Sequence, residues 1–441
     1  MRIHFISIGG AVMHNMAIAL HNMGNVVTGS DDEIFEPALS RLKNKGLLPE
    51  KFGWDDANIN QSIDFIILGM HARNDNPELI KAKELGIKIY SFPEYVYEHS
   101  KNKTRIVIAG SHGKTSTTAM IMHVLKYYKM DFDYLVGSQL EGFETMVKLS
   151  NAPLIVIEGD EYLTSAIDPK PKFLWYKPHI ALITGIAWDH INVFPTFEIY
   201  KKQFEEFINT IEPDGTLIYC NDDDELKLLT SNTSIKTLPY SLPDYEIKNG
   251  TTYINYESEN YELSIFGKHN LMKLNAAMLV CKNTGIKNSD FLKAISGFTG
   301  AAKRLEKVFD NGNIKIFRDF AHSPSKLKAT VKAAIEQFSD FKIIGVFELH
   351  TFSSLNAEFL KEYKNSMDGL DKAIVYYNNH VFELKKMKPL EPSFVKEMFG
   401  NVAVICKSED LTNAIKPINA NSVILLMSSG NFDGLNPESL I

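Results

Sequence analysis

The chain has 441 residues, a length that predicts about two to four domains, each with its own hydrophobic core. Hydrophobic residues make up 44% of the chain and charged residues 23%, as in soluble globular proteins. The net charge of −7 and the absence of a basic tail argue against a nucleic-acid-binding protein.

Targeting and redox signals in the sequence are few. The apolar run at residues 3–8 is too short for a signal peptide, and no run of about 18 apolar residues predicts a membrane span. Cys220, Cys281 and Cys406 are far apart in the sequence and lack metal-binding spacing. We therefore expect a reduced cytoplasmic protein without a membrane partner.

The first hundred residues alternate between predicted strands and helices. Strands are predicted over residues 3–8, 26–31, 64–69 and 87–90. Such alternation predicts a parallel sheet with helices packed against it.

The turn after the first strand favours a nucleotide or nucleotide sugar. Gly9-Gly10 precedes a helix, and the second strand ends in Asp31, which is how dinucleotide-binding folds begin. However, Ser7, Gly9 and Val12 occupy the three glycine positions of the dinucleotide fingerprint. A nicotinamide-dependent dehydrogenase therefore stays open only as a lesser alternative.

A phosphate-binding pattern lies in residues 105–118, where an apolar strand, a glycine-containing loop and a helix follow one another. The N–H groups of such a loop and the positive end of the helix face an anion. Lys114 adds a charge, and the Thr115 hydroxyl can bind Mg²⁺. Although Ile108 replaces a glycine of the longer pattern, we predict nucleotide binding by Gly110, Ser111, His112, Gly113, Lys114, Thr115 and Ser116.

Two further apolar strands run into polar residues. One leads into Glu158, Asp160 and Glu161, and the other leads into Asp189-His190. Carboxyl ends of parallel strands share one edge of a sheet, so these groups and Lys114 predict a site for ATP with Mg²⁺. Taken alone, Asp189-His190 is equally compatible with a surface turn.

The last third of the chain is predicted to form a second open α/β sheet. Its strands are predicted over residues 315–320, 342–347, 373–377 and 422–427. A helix is predicted over residues 324–338, between the first two of these strands.

These motifs, in this order, resemble the Mur ligase family, which uses ATP to join an amino acid or peptide to a UDP-muramyl acceptor. The resemblance covers essentially the whole chain. It implies an α/β protein of three domains: a Rossmann-like domain over residues 1–99 for the UDP sugar, a central P-loop domain over 100–299 for ATP, and a Rossmann-like domain over 300–441 for ATP and the amine substrate.

The resemblance also implies residue roles. Glu158 matches a metal ligand, and His190 matches the histidine that serves a second Mg²⁺, so the implied metal ligands are Thr115, Glu158 and His190. The implied catalytic residues are Lys114, Glu158, His190 and Arg304, and Asn270, Arg304 and Asp319 are implied to contact ATP. In the first domain, the residues expected at the UDP sugar are Gly9, Gly10, Ser30, Asp31, His71 and Arg73.

Within the family, Val12, Tyr162 and Phe320-Ala321 resemble the murein peptide ligase subgroup. That subgroup adds L-alanyl-γ-D-glutamyl-meso-diaminopimelate to UDP-N-acetylmuramate in peptidoglycan recycling. The alternative is ligation of L-alanine to the same acceptor. For either reaction we expect small-molecule substrates, no nucleic-acid partner, and a monomer or weak homodimer.

Four positions depart from the family pattern near the ATP site. The family usually has Asn, Glu, Asn and His at these positions, where this chain has Gly185, Ala187, Lys273 and Ser323. These departures leave open a third class of function, a nucleotide-sugar-binding protein with degraded catalysis.

Overall fold

The computed structural model describes residues 1–70, 72–165, 167–188, 193–300, 304–416, 418 and 421–441. The α/β fold class with largely parallel sheets is confirmed. The chain forms two compact units, one of residues 1–241 with 273–291 and the other of residues 242–272 with 292–441. The three domain boundaries inferred from the sequence remain predictions.

The first sheet is parallel throughout, with strand order β2-β1-β3-β4. Its strands are β1 (Arg2–Ile6), β2 (Val26–Ser30), β3 (Phe65–Leu68) and β4 (Lys88–Ser91). Its helices are α1 (Ala11–Asn22), α2 (Ala38–Asn44), α3 (Pro77–Glu84) and α4 (Phe92–Ser100). Helix α4 begins at a capping box in which Ser91 and Glu94 exchange side-chain and backbone hydrogen bonds.

The central sheet has seven strands in the order β11-β10-β9-β5-β8-β6-β7, and among them only β6 and β7 pair antiparallel. The strands are β5 (Thr104–Ala109), β6 (Asp133–Leu135), β7 (Val147–Lys148), β8 (Leu154–Glu158), β9 (Ile180–Ile183), β10 (Thr216–Cys220) and β11 (Lys236–Tyr240). The helices are α5 (Lys114–Tyr127), α6 (Phe197–Asn209) and α7 (Asp224–Thr230). Because β5 lies between β8 and β9, the carboxyl ends of these three strands meet at one edge.

A small antiparallel sheet follows, which the sequence analysis did not predict. It consists of β12 (Glu246–Lys248), β13 (Thr251–Tyr256) and β14 (Glu259–Leu263). Two helices come next in the chain, α8 (Lys268–Asn283) and α9 (Asn288–Ile295).

The C-terminal sheet has the order β15-β16-β20-β17-β18-β19 and is parallel except for β15. Its strands are β15 (Glu306–Asp310), β16 (Ile314–Asp319), β17 (Lys342–Glu348), β18 (Lys372–Tyr376), β19 (Ala403–Ile405) and β20 (Ser422–Met427). Its helices are α10 (Pro324–Gln337), α11 (Asn379–Leu384), α12 (Pro392–Phe399) and α13 (Ser408–Ile415). Neighbouring residues point to opposite faces, so Ile316 and Phe317 enter two separate hydrophobic clusters.

Five short 3-10 segments complete the described secondary structure: Asp56–Asn58, Lys172–Trp175, Leu360–Tyr363, Phe432–Gly434 and Pro437–Leu440. None of the helices in the described ranges combines the length and the hydropathy needed to cross a bilayer.

A buried arginine anchors the amino end of β5. Arg105 is 1% exposed, and its guanidinium donates to the carbonyls of Ser100 and Tyr176 at 3.0 and 2.9 Å and to Glu212 Oε1 at 2.6 Å. These contacts join the ends of α4 and α6 to the central strand. A planar group with five donors suits this task, because one lysine ammonium could not reach all of these acceptors.

We expect Arg105→Met to destabilise the protein by about 3 kcal/mol, because it leaves the Glu212 carboxylate and several buried carbonyls without a donor. For a unit of this size, the midpoint of its thermal transition should fall by roughly 6–12 °C. Differential scanning calorimetry measures this shift. The control is Lys227→Ala, since the Lys227–Asp224 pair is exposed and its loss should move the midpoint by less than about 2 °C. Equal shifts for both variants would contradict the anchoring role of Arg105.

Candidate active site

The loop between β5 and α5 has the geometry of an anion cradle. Gly110 and Gly113 adopt φ values of 120° and 90°, which side chains disfavour. A Cβ atom on Gly110 would lie 2.2 Å from Thr184 Oγ1, so only glycine fits there. The first N–H groups of α5 have no acceptor within the helix. The positive end of the helix dipole lies at Lys114, where the helix begins, and is directed at the loop.

Lys114 is held by two acceptors. Its Nζ donates to the Gly110 carbonyl and to Glu161 Oε2, each at 2.6 Å. The Glu161 side chain is 0% exposed, and its Oε1 accepts a hydrogen bond from the Tyr200 hydroxyl at 3.2 Å. The Tyr200 hydroxyl also lies 2.8 Å from Ser111 Oγ, in the loop itself. The predicted cation is thus part of a buried polar network.

Glu161 was predicted only as one of the acids at the ATP site, without a role of its own, and Tyr200 was not predicted to belong to the site. For Glu161 a signal existed, because an acid shortly after a buried strand lies at the ligand-binding edge of a parallel sheet. Tyr200 is an aromatic residue within α6, and nothing in the local sequence indicates a functional role for it. The other loop residues named as nucleotide contacts lie here too: the His112 side chain is exposed, and Ser116 is buried in the first turn of α5.

Two of the predicted metal ligands lie side by side. Thr115 Oγ1 donates to Glu158 Oε1 at 2.7 Å, and the other carboxylate oxygen accepts from the Gly137 N–H at 3.0 Å. Asp189 and His190, the other members of the predicted site, lie outside the described residues. Within the described ranges, no group of three or more His, Cys, Asp or Glu side chains could hold a metal ion. A pair of oxygens nonetheless fits Mg²⁺, which usually takes few protein ligands and completes its shell with phosphate and water.

The loop after β8 connects the acidic edge to the first sheet. Lys172 Nζ donates to Asp160 Oδ2 at 2.6 Å, and the Phe173 N–H donates to the Asp160 carbonyl at 3.1 Å. Ile167, which lies between Asp160 and Lys172 in the sequence, packs against the hydrophobic cluster under the first sheet. The position of the carboxylates therefore depends on packing in both sheets of this unit.

Three of the four departures from the family pattern contact the phosphate loop. The Gly185 carbonyl accepts from the Ser111 N–H at 3.0 Å, and the Ala187 N–H donates to Ser111 Oγ at 2.8 Å. The Lys273 stem covers Gly113, with Cε 3.2 Å from the place where a Cβ would stand. These contacts brace the phosphate loop, and those of Gly185 and Ala187 are made by the backbone.

Asp31 controls the turn after β1. Its Oδ2 accepts from the Gly9 N–H at 2.7 Å, and burial raises the pKa of this carboxyl to about 6. The neighbouring Ser30 is 2% exposed, and its hydroxyl donates to the buried Glu78 carboxylate. Both side chains are used within the fold, and Asp31 places a carboxylate beside the predicted UDP-sugar turn.

The other residues named for the UDP sugar differ in setting. Gly10 is the N-terminal cap of α1, with φ −57° and ψ 151°. The Arg73 side chain is 80% exposed and lies 3.8 Å from Asp75 in an ion pair. His71 lies outside the described residues.

In the C-terminal unit, Asp319 organises the segment next to Arg304. Its carboxylate accepts from the Leu305 N–H at 2.7 Å, the Ala321 N–H at 2.8 Å and Thr330 Oγ1 at 3.0 Å. Burial raises the pKa of Asp319. The Arg304 guanidinium lies over the Phe320 ring, 5.1 Å from its centre.

Asn270 belongs to the first turn of α8. It is 5% exposed, and its amide donates to the Phe266 carbonyl at 3.0 Å. The predicted ATP contact is thus a buried side chain that also fixes the start of its own helix.

Comparison with known proteins gives two family matches. Residues 2–104 match the description "Mur ligase family, catalytic domain", and residues 108–281 match "Mur ligase middle domain". A UDP-N-acetylmuramate–L-alanine ligase from Persephonella marina is 33% identical, over 99% of this chain and 95% of its own length. Further relatives of 28–31% identity carry the same name.

Solved structures agree on the fold. The UDP-N-acetylmuramate-alanine ligase of Thermotoga maritima has a TM-score of 0.68 at 22% identity and covers 100% of this chain and 97% of its own. A murein peptide ligase from Psychrobacter arcticus has a TM-score of 0.62 at 22% identity, with 100% and 98% covered. The chain therefore belongs to the Mur ligase family of ATP-dependent ligases, which form carbon–nitrogen bonds.

Proposed function

We propose that this ligase joins L-alanine to the carboxylate of UDP-N-acetylmuramate. The proposal is supported by the near full-length relatives, which carry that name, and by the phosphate loop with Lys114, Thr115 and Glu158 at one edge of the central sheet. The L-alanine alternative is therefore better supported than the tripeptide reading that Val12, Tyr162 and Phe320-Ala321 favoured.

The chemistry requires activation of a carboxylate. An amine cannot displace oxide, so the γ-phosphoryl group of ATP is transferred to the carboxylate, and the amine then displaces phosphate from the acyl phosphate. Negative charge is spread over the transferred group, so positioned cations do most of the catalysis. We assign this charge to Lys114, whose ammonium donates to the Gly110 carbonyl of the phosphate loop at 2.6 Å.

Mg²⁺ would be held by Thr115 and Glu158, with His190 added by the family resemblance. When bound, it supplies charge that neutralises the phosphate oxygens and reduces repulsion of the attacking carboxylate. For Arg304, Asn270 and Asp319 we propose the ATP contacts that the resemblance implies. The Asp319 carboxylate also accepts from the N–H of Leu305, the residue after Arg304.

The first sheet is proposed to bind the UDP sugar at the Gly9-Gly10 turn, where α1 begins. Ser30, Asp31, His71 and Arg73 remain proposed contacts. The C-terminal sheet is proposed to bring the amine substrate and to exclude water from the acyl phosphate.

A second candidate function is ligation of the tripeptide to the same acceptor. Tyr162 stands where L-alanine ligases usually have serine, and Phe320-Ala321 stands where they usually have Tyr-Gly. A difference in the amine substrate requires only local changes near the C-terminal sheet, so both candidates share the ATP chemistry.

The amine substrate is identified by measuring ADP formation with UDP-N-acetylmuramate and a panel of L-alanine, L-alanyl-γ-D-glutamate and the tripeptide. We expect L-alanine to support turnover and the tripeptide to support little. Turnover with the tripeptide alone would replace the first candidate by the second. ADP formation that does not require the UDP sugar would contradict both.

We expect Lys114→Ala to lower kcat for ADP formation by roughly 10²–10³-fold, the usual cost of removing one group that stabilises transition-state charge. Lys126→Ala is the matched control, because Lys126 lies in the last turn of the same helix and its ammonium binds the Gly142 carbonyl. That variant should keep normal turnover. A Lys114→Ala enzyme with undiminished turnover would instead favour a sugar-binding protein whose ATP site has degenerated.

The raised pKa of Asp31 predicts a pH dependence of sugar binding. Below pH 6 this carboxyl is largely neutral, and above it the carboxylate repels a diphosphate at the Gly9-Gly10 turn. Affinity for UDP-N-acetylmuramate should therefore fall by roughly threefold to tenfold from pH 5 to pH 7.5, as measured by calorimetry. Asp31→Asn should flatten this profile. An unchanged slope in that variant would place the diphosphate elsewhere.

A further inference from the structure

We propose that Glu161 is a positioning residue for Lys114 during phosphoryl transfer. Together with the Gly110 carbonyl, it holds two of the three N–H groups of the ammonium, so that the third points to the bound phosphate. This proposal rests on the proposed ligase function, because it concerns the direction from which Lys114 meets ATP.

The lysine side chain alone would not define that direction. It has four rotatable bonds, and its ammonium carries three donors in rotation. Within the described part of the chain, Lys114 Nζ makes two hydrogen bonds, to Gly110 O and Glu161 Oε2, each 2.6 Å long. Two fixed acceptors define the orientation of the ammonium and therefore the direction of the remaining N–H.

Both acceptors are rigid. Gly110 belongs to the cradle and is in close contact with Thr184. Glu161 is 0% exposed and is held through its other oxygen by Tyr200, whose ring packs against Phe194 and Phe204 with ring centres 5.4 and 5.2 Å away. Tyr200 also reaches Ser111, so the same tyrosine fixes the loop and the carboxylate.

Because the ion pair of Lys114 and Glu161 is buried, we infer that it persists when the nucleotide binds. Moving the ammonium away would break an ion pair of 2.6 Å whose side chains are 14% and 0% exposed, and breaking a buried ion pair is costly. The phosphate therefore meets an ammonium that is already paired, and Lys114 contributes through direction as well as charge.

The test uses the full-length enzyme with Glu161→Ala, Glu161→Gln and Tyr200→Phe. Glu161→Ala should lower kcat for ADP formation by roughly 30-fold while the KM for ATP rises only about threefold, because orientation matters most in the transition state. Glu161→Gln keeps an oxygen acceptor and should recover most of that loss. Tyr200→Phe should fall between the wild type and Glu161→Ala.

The control is Asp133→Asn. Asp133 is also 0% exposed and pairs with a buried lysine, Lys103, at 2.5 Å, but it lies at the amino end of β6, on the opposite edge of the same sheet. This variant should lower the thermal midpoint like Glu161→Ala and keep normal kcat. Activity is expressed per folded molecule, with the folded fraction measured by calorimetry.

Two results would overturn the proposal. Unchanged kcat in Glu161→Ala would make Glu161 merely structural. A lower KM for ATP with undiminished kcat in Glu161→Gln would show that Glu161 competes with the nucleotide for Lys114.

The proposed function can fail separately. If the wild type forms no ADP with any amine of the panel, the ligase proposal is contradicted. The role of Glu161 is then judged by calorimetric binding of a non-hydrolysable ATP analogue. Weaker binding by Glu161→Ala, by about threefold relative to Asp133→Asn, would then support positioning of Lys114, and equal binding would overturn it.

Discussion

The parallel pairing of β8, β5 and β9 is the constraint on which the site depends. In this register Glu158 lies opposite Ile108, and Ile183 lies opposite Ala109. The three strands therefore end side by side at the same edge of the sheet. The segments that follow must therefore share a small space above the edge. That space holds the phosphate loop, the carboxylates after β8 and the loop after β9.

Concentrating charge at this edge has a cost that the fold offsets locally. Glu161 is wholly buried, and it is balanced by Lys114 and a tyrosine hydroxyl. Glu158 accepts a hydroxyl and a backbone N–H. The opposite edge of the same sheet carries structural charges, with Arg105 bound to carbonyls and Asp133 paired with Lys103. One edge thus holds the charges of the proposed active site, and the other holds charges that stabilise the sheet.

An aspartate has the same structural role in the two α/β sheets that begin and end the chain. Asp31 follows β2 and holds the Gly9 N–H, while Asp319 ends β16 and holds the Leu305 and Ala321 N–H groups. In both, a carboxylate at the carboxyl end of a strand fixes a neighbouring loop, and burial raises its pKa. We propose that both carboxylates affect ligand binding through the geometry of these loops as well as by direct contact.

Local sequence determined much of this protein. Apolar runs predicted β5, β8, β9, β17, β18 and β20, because strands buried on both faces are largely apolar, and the Gly-Lys-Thr pattern located the phosphate loop. Strand β16 was predicted too, although Lys315 and Arg318 interrupt its apolar run. Nine strands were not predicted, most of which are short or mix polar with apolar residues: β6, β7, β10, β11, β12, β13, β14, β15 and β19. Only the tertiary structure decided that Glu161 pairs with Lys114, that Tyr200 joins both to Ser111, and that Lys273 covers Gly113. Those contacts join residues far apart in the chain, and their partners are chosen by strand order and packing rather than by local pattern.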